Sequence, residues 1–286
     1  MMSRTSIEVS DYQRKYREDM ISLLFYSQRT HTHLDWYKAA QWLDMPDNLI
    51  QVAYAGNSLV GFLGLSQALN QTAWVRLAAV AFAYNPADIL SLLWENLQFP
   101  MREANIETVT ILVVNTWLNA YLSRLGFVYQ EDVVTLYRSG NYTPAIIPND
   151  ITLRSAYLED LHNIVAVDHA AFAAPWQMSA SDIRYAQRHA ASCTVAEFEK
   201  EVIGYEISTR HQTAGHLARL GVHPQIQGKR VGGVLLNDLL SRFAKRGVQT
   251  MTVNTQQSNV ISQRLYQHYG FYRNGFDLPI WQYQAI

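Results

Sequence analysis

The sequence predicts two tandem α/β domains, each a mixed, mostly antiparallel sheet flanked by helices. Three observations predict it. First, the chain repeats itself at a nearly constant offset. Gly61 in VAYAGNSLVGFLGLS and Gly204 in VAEFEKEVIGYEIST lie 143 residues apart, as do Arg76-Leu77 and Arg219-Leu220. Gly126 and Gly270, in LGF and YGF, lie 144 apart, as do IEV at 7–9 and ITL at 151–153. An offset held at four places marks a duplicated unit. Second, each copy alternates strand-length apolar runs with helical periodicity. Third, residues 139–150, SGNYTPAIIPND, carry two prolines and a glycine without periodicity, as a linker does. The expected domains are therefore 1–140 and 146–286.

The elements run in the same order in both copies. A strand comes first, at 7–10 and 151–155. Two helical stretches follow, at 13–27 and 35–44, then at 157–170 and 179–190, the last opened by Ser179 as a cap. Hairpins follow at 49–54 with 58–66, around Ala55-Gly56-Asn57, and at 193–198 with 201–209, around Glu199-Lys200. A central strand is expected at 74–82 and 216–223, then a helix at 87–98 and 230–246. A strand (106–114; 248–254), a helix (117–125; 259–269) and a last strand (127–138; 271–284) close each copy.

Composition narrows the function classes. The chain has 286 residues, 49% of them hydrophobic, with a formal net charge of −1. That balance argues against nucleic acid or an anionic membrane as an obligatory partner. No apolar run approaches the roughly 20 residues of a membrane span, and the N-terminal residues lack the apolar core of a secretory signal. One cysteine, Cys193, excludes an internal disulfide. It fits a reducing cytoplasm, which is the expected location. The nine histidines show no convincing metal spacing, and HTH at 31–33 is too short for a zinc site, so no metal is expected.

One stretch organises the chemistry. Residues 217–240 read LARLGVHPQIQGKRVGGVLLNDLL. The apolar run 217–222 is stopped by Pro224, which cannot donate to a sheet ladder. A polar turn with Gln227, Gly228 and Lys229 follows. Apolar residues at 231, 234, 235, 239 and 240 then take helical spacing. A strand, a glycine turn and a helix leave backbone N–H groups and the positive end of the helix dipole at one spot. Lys229 and Arg230 add full charges there, so the turn is a candidate phosphate site. An ordinary strand–helix turn is the alternative on this stretch alone.

A second stretch, 254–271, reads NTQQSNVISQRLYQHYGF. Together the two resemble the GCN5-related N-acetyltransferases (GNAT). That family carries V-x-P-x-x-[QR]-G-x-G-x-G at the first site, matched by Val222, Pro224, Gln227, Gly228 and Gly232. It carries N-x-x-[AS]-x-x-L-Y-x-x-x-G-F at the second, matched by Asn259, Ser262, Leu265, Tyr266, Gly270 and Phe271. Arg230 departs from the pattern, standing where the family has its middle glycine. An ordinary helix-start backbone with an outward side chain is expected there. The resemblance implies acetyl-CoA as cosubstrate and an amine as acceptor. It implies that the backbone of Gln227, Gly228, Lys229, Arg230, Val231, Gly232 and Gly233 holds the diphosphate. The pantetheine arm would pair with Leu220, Gly221 and Val222, with the Val222 N–H on the thioester oxygen and Gly221 allowing close approach. Asn254, Asn259 and Ser262 would border the cofactor. Tyr266 matches the family's acid that protonates the leaving thiolate, while Tyr269 reads as packing.

The base is open on sequence grounds. Some relatives carry a glutamate where Asn254 stands, and an amide cannot take the proton. His216 occupies the place of another family glutamate. Glu206 and a water chain are the other candidates. Phe172–Trp176, FAAPW, resembles the segment bordering the acceptor cleft in relatives that acetylate protein N-termini. The first copy has FAYNPAD at 82–88 opposite the phosphate turn, with no glycine and with Asp88 in place of a cation, and Tyr121 is one residue out of phase with Tyr266. It reads as a copy without a cofactor site; binding acyl-CoA in another manner is the alternative. A non-catalytic double domain that senses acyl-CoA or grips a partner is the competing function.

Overall fold

The computed structural model describes residues 6–140, 143–144 and 150–285, so most of the expected linker lies outside the described residues. The chain divides into two compact units. Unit 1 contains β1 (Ile7–Asp11), α1 (Arg17–Tyr26), β2 (Thr30–Thr32), α2 (Ala39–Leu43), β3 (Leu49–Ala55), β4 (Ser58–Leu65), β5 (Thr72–Val80), α3 (Pro86–Glu103), β6 (Thr108–Leu112) and α4 (Asn119–Leu122). From β7 (Val128–Ser139) the chain enters unit 2. There follow β8 (Thr152–Ser155), α5 (Leu161–Ala171), α6 (Ala180–His189), β9 (Ser192–Phe198), β10 (Glu201–His211), β11 (Ala214–Val222), α7 (Val231–Lys245), β12 (Thr250–Gln256), α8 (Val260–His268) and β13 (Tyr272–Arg273). The last strand is β14 (Leu278–Gln284).

The expected contiguous halves, 1–140 and 146–286, differ from the units formed, which are residues 1–131 with 278–286, and residues 132–277. Strand β7 pairs antiparallel with β12, from Ser139↔Thr250 to Val133↔Gln256. Strand β14 pairs with β6, from Ile280↔Leu112 to Gln284↔Thr108. Each unit thus borrows its closing strand from the other half of the sequence. A terminal strand's pattern fixes which face it buries and not whose edge it joins, so the exchange left no local trace. The single strand expected at 271–284 is in fact β13 and β14, serving different units.

Both sheets follow one plan. In unit 1 the order is β1-β3-β4-β5-β6-β14, and in unit 2 it is β8-β9-β10-β11-β12-β7. Within each unit, among the described residues, only the β5–β6 and β11–β12 pairs are parallel. Helix α7 exists because Val231, Leu235, Leu236, Leu239, Leu240 and Phe243 recur at three- and four-residue spacing and bury one face. Gly247, at φ +79°, ends it in the left-handed conformation that suits glycine. Helix α8 opens on Asn259, whose Oδ1 accepts from the Ser262 N–H at 3.1 Å. Gly270, at φ +80°, stops it. Arg138, 4% exposed, donates to the Tyr269 carbonyl at that end at 2.9 Å.

The register refines the repeat. Val80 lies opposite Gly61 and Val222 lies opposite Gly204. One residue bulges out in each strand, Arg76 in the first and Ala218 in the second, where the partner's register shifts. Leu77 therefore corresponds to Arg219, and the Arg76–Arg219 match seen in the sequence is one residue out.

Candidate active site

The site begins where two parallel strands part. β11 and β12 pair only from Ala214↔Thr250 to Leu217↔Val253. Beyond that point, among the described residues, β11 keeps only β10, and β12 keeps only β7. A wedge opens between residues 218–222 and 254–256. The His223 N–H donates to Ile203 O at 2.9 Å, which makes Val222↔Gly204 a non-hydrogen-bonded pair. By alternation the N–H groups of Val222 and Leu220 point away from β10, into the wedge. Among the described residues nothing accepts from either. The Val222 carbonyl accepts from Gln227 Nε2 at 3.1 Å, so Gln227 ties the turn back to the strand end.

The turn leads into an uncapped helix. Gly228 has φ +81° and Arg230 has φ +67°. Arg230 is the residue before α7, yet no side chain caps that helix end. The first intrahelical donor is the Val234 N–H, to Arg230 O at 3.0 Å. The N–H groups of Val231, Gly232 and Gly233 have no acceptor among the described residues, as a first helical turn requires of its surroundings. Lys229 and Arg230 are exposed beside them. The expectation of ordinary helix-start geometry at Arg230 is overturned. The turn holds this position in the left-handed region, and for arginine that costs about 1–2 kcal/mol. Arg230→Gly should therefore raise the unfolding free energy of unit 2 by about 0.5–1 kcal/mol, after the extra chain entropy of glycine is set against the relieved strain. A shift of the urea midpoint at constant slope checks it.

The glycines have different tasks. A Cβ on Gly232 would lie 3.3 Å from Leu265 Cδ2, 3.7 Å from Val222 Cγ2 and 3.9 Å from Leu220 Cδ2, so Gly232 borders the space between α8 and the open strand end. A Cβ on Gly233 would meet the Tyr269 hydroxyl at 3.2 Å, and that hydroxyl donates to Gly233 O at 2.8 Å. Gly221 was expected to allow close approach of a ligand. Its Cβ would instead strike Tyr205 Cε1 at 2.6 Å, so the glycine is set by packing beneath the strand.

Tyr266 lies at the fork. It is 5% exposed and packs in one cluster with Leu217 and Val253, the last parallel pair, and with Leu220 at its margin. Burial raises its pKa, which keeps the phenol protonated. Among the described residues its hydroxyl has no hydrogen-bond partner. Asn259 spends its Oδ1 on the cap of α8. Asn254 is exposed at the first position past the fork. His216 lies just inside the fork, with Nδ1 2.9 Å from Thr252 Oγ1. Glu206 lies opposite Leu220 in the register, but its carboxylate is fully engaged. It is fully buried, with Ser192, Ser208 (2.7 Å) and Arg242 (3.1 Å) on its carboxylate, and Arg242 belongs to α7 on the far side from the α5 face.

A polar cluster unforeseen from the sequence lies under the other face. Arg219 donates to Asp168 at 2.5 Å and to the Trp176 carbonyl at 2.6 Å, with its guanidinium 3.6 Å from the Phe172 ring centroid. Asp168 is fully buried and also accepts from the Met178 N–H at 2.9 Å and from the Tyr205 hydroxyl. One ion pair thus pins residues 172–178 to the strand that carries Leu220 and Val222. Its signal was present in the sequence: an arginine inside the apolar run LARLGV needs a buried partner.

Unit 1 differs at each corresponding point. Its parallel pair ends at Trp74↔Thr110. The edge beyond is taken by β2, paired from Thr30↔Ala79 to Thr32↔Leu77. The α3 N-terminus is capped, with Asn85 Oδ1 accepting from the Ala87 N–H at 3.1 Å. Asn85 also donates to Asp88, the anion noted in the sequence, at 3.0 Å.

Residues 158–271 match the model of the Acetyltransferase (GNAT) family. The whole chain is similar in fold to solved structures. One is a tandem GNAT protein from the clavulanic acid biosynthesis pathway, at a TM-score of 0.70 and 16% identity, covering 98% of this chain and 99% of that one. A GCN5-related N-acetyltransferase from Sphaerobacter thermophilus matches at 0.63 and 13%, over 98% and 96%. Another, from Kribbella flavida, matches at 0.66 and 11%, over 98% and 72%. Among the described residues no helix is long and apolar enough to cross a membrane.

Proposed function

With a GNAT-family domain at residues 158–271 and the tandem GNAT fold along the chain, we propose that the protein is an acetyl-CoA-dependent N-acetyltransferase acting on a primary amine in unit 2. The observation that carries this reading is the open strand edge at Leu220 and Val222, lying between an uncapped helix N-terminus and the buried Tyr266. Backbone donors in a row fit an extended chain of amides. Uncapped first-turn N–H groups flanked by Lys229 and Arg230 fit a diphosphate.

Acetyl-CoA supplies an acetyl group activated as a thioester. The N–H groups of Val231, Gly232 and Gly233, with Gly228 allowing the turn, hold the diphosphate outside the wedge. Val222 is nearer that end, so its N–H pairs with an arm amide. Leu220 is nearer the fork, so its N–H polarises the thioester oxygen. The family resemblance implies Val222 for that donor; Leu220 is preferred in this reading because it is two residues nearer the fork. As the acceptor nitrogen bonds to the carbonyl carbon and the C–S bond breaks, Tyr266 gives its proton to the sulfur. His216 takes the proton from the amine. Its Nδ1 stands 2.9 Å from Thr252 Oγ1, a contact in which either atom can be the donor.

Two measurements test the reading. Gly232→Val should weaken CoA binding by about ten- to a hundredfold, because the added methyls overfill the gap facing Leu265 and Val222 at about 1–3 kcal/mol. Valine is tolerated better than glycine in a helix, so the fold should survive. Calorimetric titration with CoA reads the effect, and unchanged affinity would remove the site from this gap. His216→Ala should erase the ascending limb that a histidine base contributes to the rate profile with an amine panel. A profile that overlays the wild type would pass the role to water. Amine-dependent release of free thiol separates the enzyme from a non-catalytic acyl-CoA sensor.

A further inference from the structure

The same edge that is open in unit 2 is closed in unit 1 by the chain itself. Strand β5 meets β4 on one side over Gly61↔Val80 to Leu65↔Val75. On its other side, beyond the parallel pair with β6, it meets β2. The Val80 N–H, the counterpart of Val222 opposite its glycine, donates to Arg29 O at 3.0 Å. By alternation the Ala78 N–H, the counterpart of Leu220, also faces β2, opposite His31. The His33 N–H donates to Arg76 O at 2.9 Å, and Ser27 Oγ donates to Val80 O at 2.9 Å. Trp117 Nε1 holds the inserted segment by donating to Thr30 O at 2.8 Å.

The turn beyond has the opposite polarity to its counterpart. In unit 2 free N–H groups converge beside two cations. In unit 1 the carbonyls of Tyr84 and Phe82 converge on the Arg29 guanidinium, at 2.8 and 3.3 Å. The helix N–H groups are met by Asn85. A diphosphate would find acceptors and a capped helix where it needs donors.

We infer that residues 27–33 are a built-in occupant of the unit 1 groove, a peptide strand lying where the unit 2 groove takes the pantetheine arm. The comparison with pantetheine rests on the proposed function; the occupancy itself does not. Unit 1 is thus complete without a ligand, whereas the unit 2 edge is completed only by one. The chain binds one CoA.

Residue-resolved hydrogen exchange on the full chain, with and without CoA, tests this. Without CoA, the amides of Ala78 and Val80 should exchange at least about a hundredfold more slowly than those of Leu220 and Val222, as paired strand interiors differ from open edges. Saturating CoA should slow Leu220 and Val222 by about tenfold or more and leave Ala78 and Val80 unchanged. Titration should give one CoA per chain. Fast exchange at Ala78 and Val80, their protection by CoA, or two CoA per chain would each overturn the inference. If CoA protects neither edge, the acyltransferase reading falls, and slow exchange at Ala78 and Val80 in the free protein still upholds the occupied groove.

Discussion

Tyr266→Phe should lower turnover by about 10²–10⁴ while leaving CoA affinity and stability nearly unchanged. The structure makes this a clean substitution. Phenylalanine keeps the ring in its cluster with Leu217, Val253 and Phe271 and loses only the hydroxyl. No protein group among the described residues pairs with that hydroxyl, so no partner is left stranded by its removal. The retained proton is the point of the design. Burial disfavours the phenolate, so under the proposed function the group would enter the reaction as an acid, available to a departing thiolate. Steady-state rates with saturating amine, read beside a CoA titration, decide it. Undiminished turnover in the phenylalanine variant would remove the acid assignment.

A chain ended at Asp277 should lose the fold of unit 1 and keep every residue of unit 2. Such a truncation takes only residues 278–286, which a reading of contiguous halves would assign to the second domain. In the structure those residues close the first. Ile280 is 2% exposed, and Trp281 and Tyr283 pack against the unit 1 core. Tyr283 meets Trp94 edge-on at 4.9 Å and donates to Gln98 at 3.0 Å. Large apolar side chains contribute about 1.5–3 kcal/mol each when fully buried. Ile280 is the fully buried one; with the half-buried Trp281 and Tyr283 and the β6 ladder it supplies a large part of the roughly 5–15 kcal/mol that holds a domain together. Limited proteolysis should cut the truncated chain within residues 6–127 and spare 150–277. Equal resistance of both units would refute the exchange of strands.

The separate halves 1–140 and 146–286 follow the same logic. The first lacks β14 and the second lacks β7, so neither is a complete unit, and cofactor binding is better assigned to one unit by point substitution than by dividing the chain.

The sequence by itself determined the duplication, the element order and the stretches that form the candidate site. Those are local facts. The Gly61–Gly204 spacing, the turn at 227–233 and the LYxxxGF run each lie in one stretch, and each is imposed by backbone geometry or hydrophobic period. Tertiary structure alone decided the rest. Arg230 looks like a helix-start residue until the turn's path forces φ to +67°. Glu206 looks like a strand-edge carboxylate until Arg242 on α7 is seen to hold it, fully buried. Gly221 looks like room for a ligand until Tyr205 fills that room. Residues 29–33 carry no strand signal, because three paired residues are too few to show a period. Their conformation comes from an edge some 45 residues away that needs partners. The choice of sheet for β7 and β14 is of the same kind. An unpaired edge is satisfied by whichever strand reaches it, and which strand reaches it is set by the folded chain's path, not by the residues of the strand.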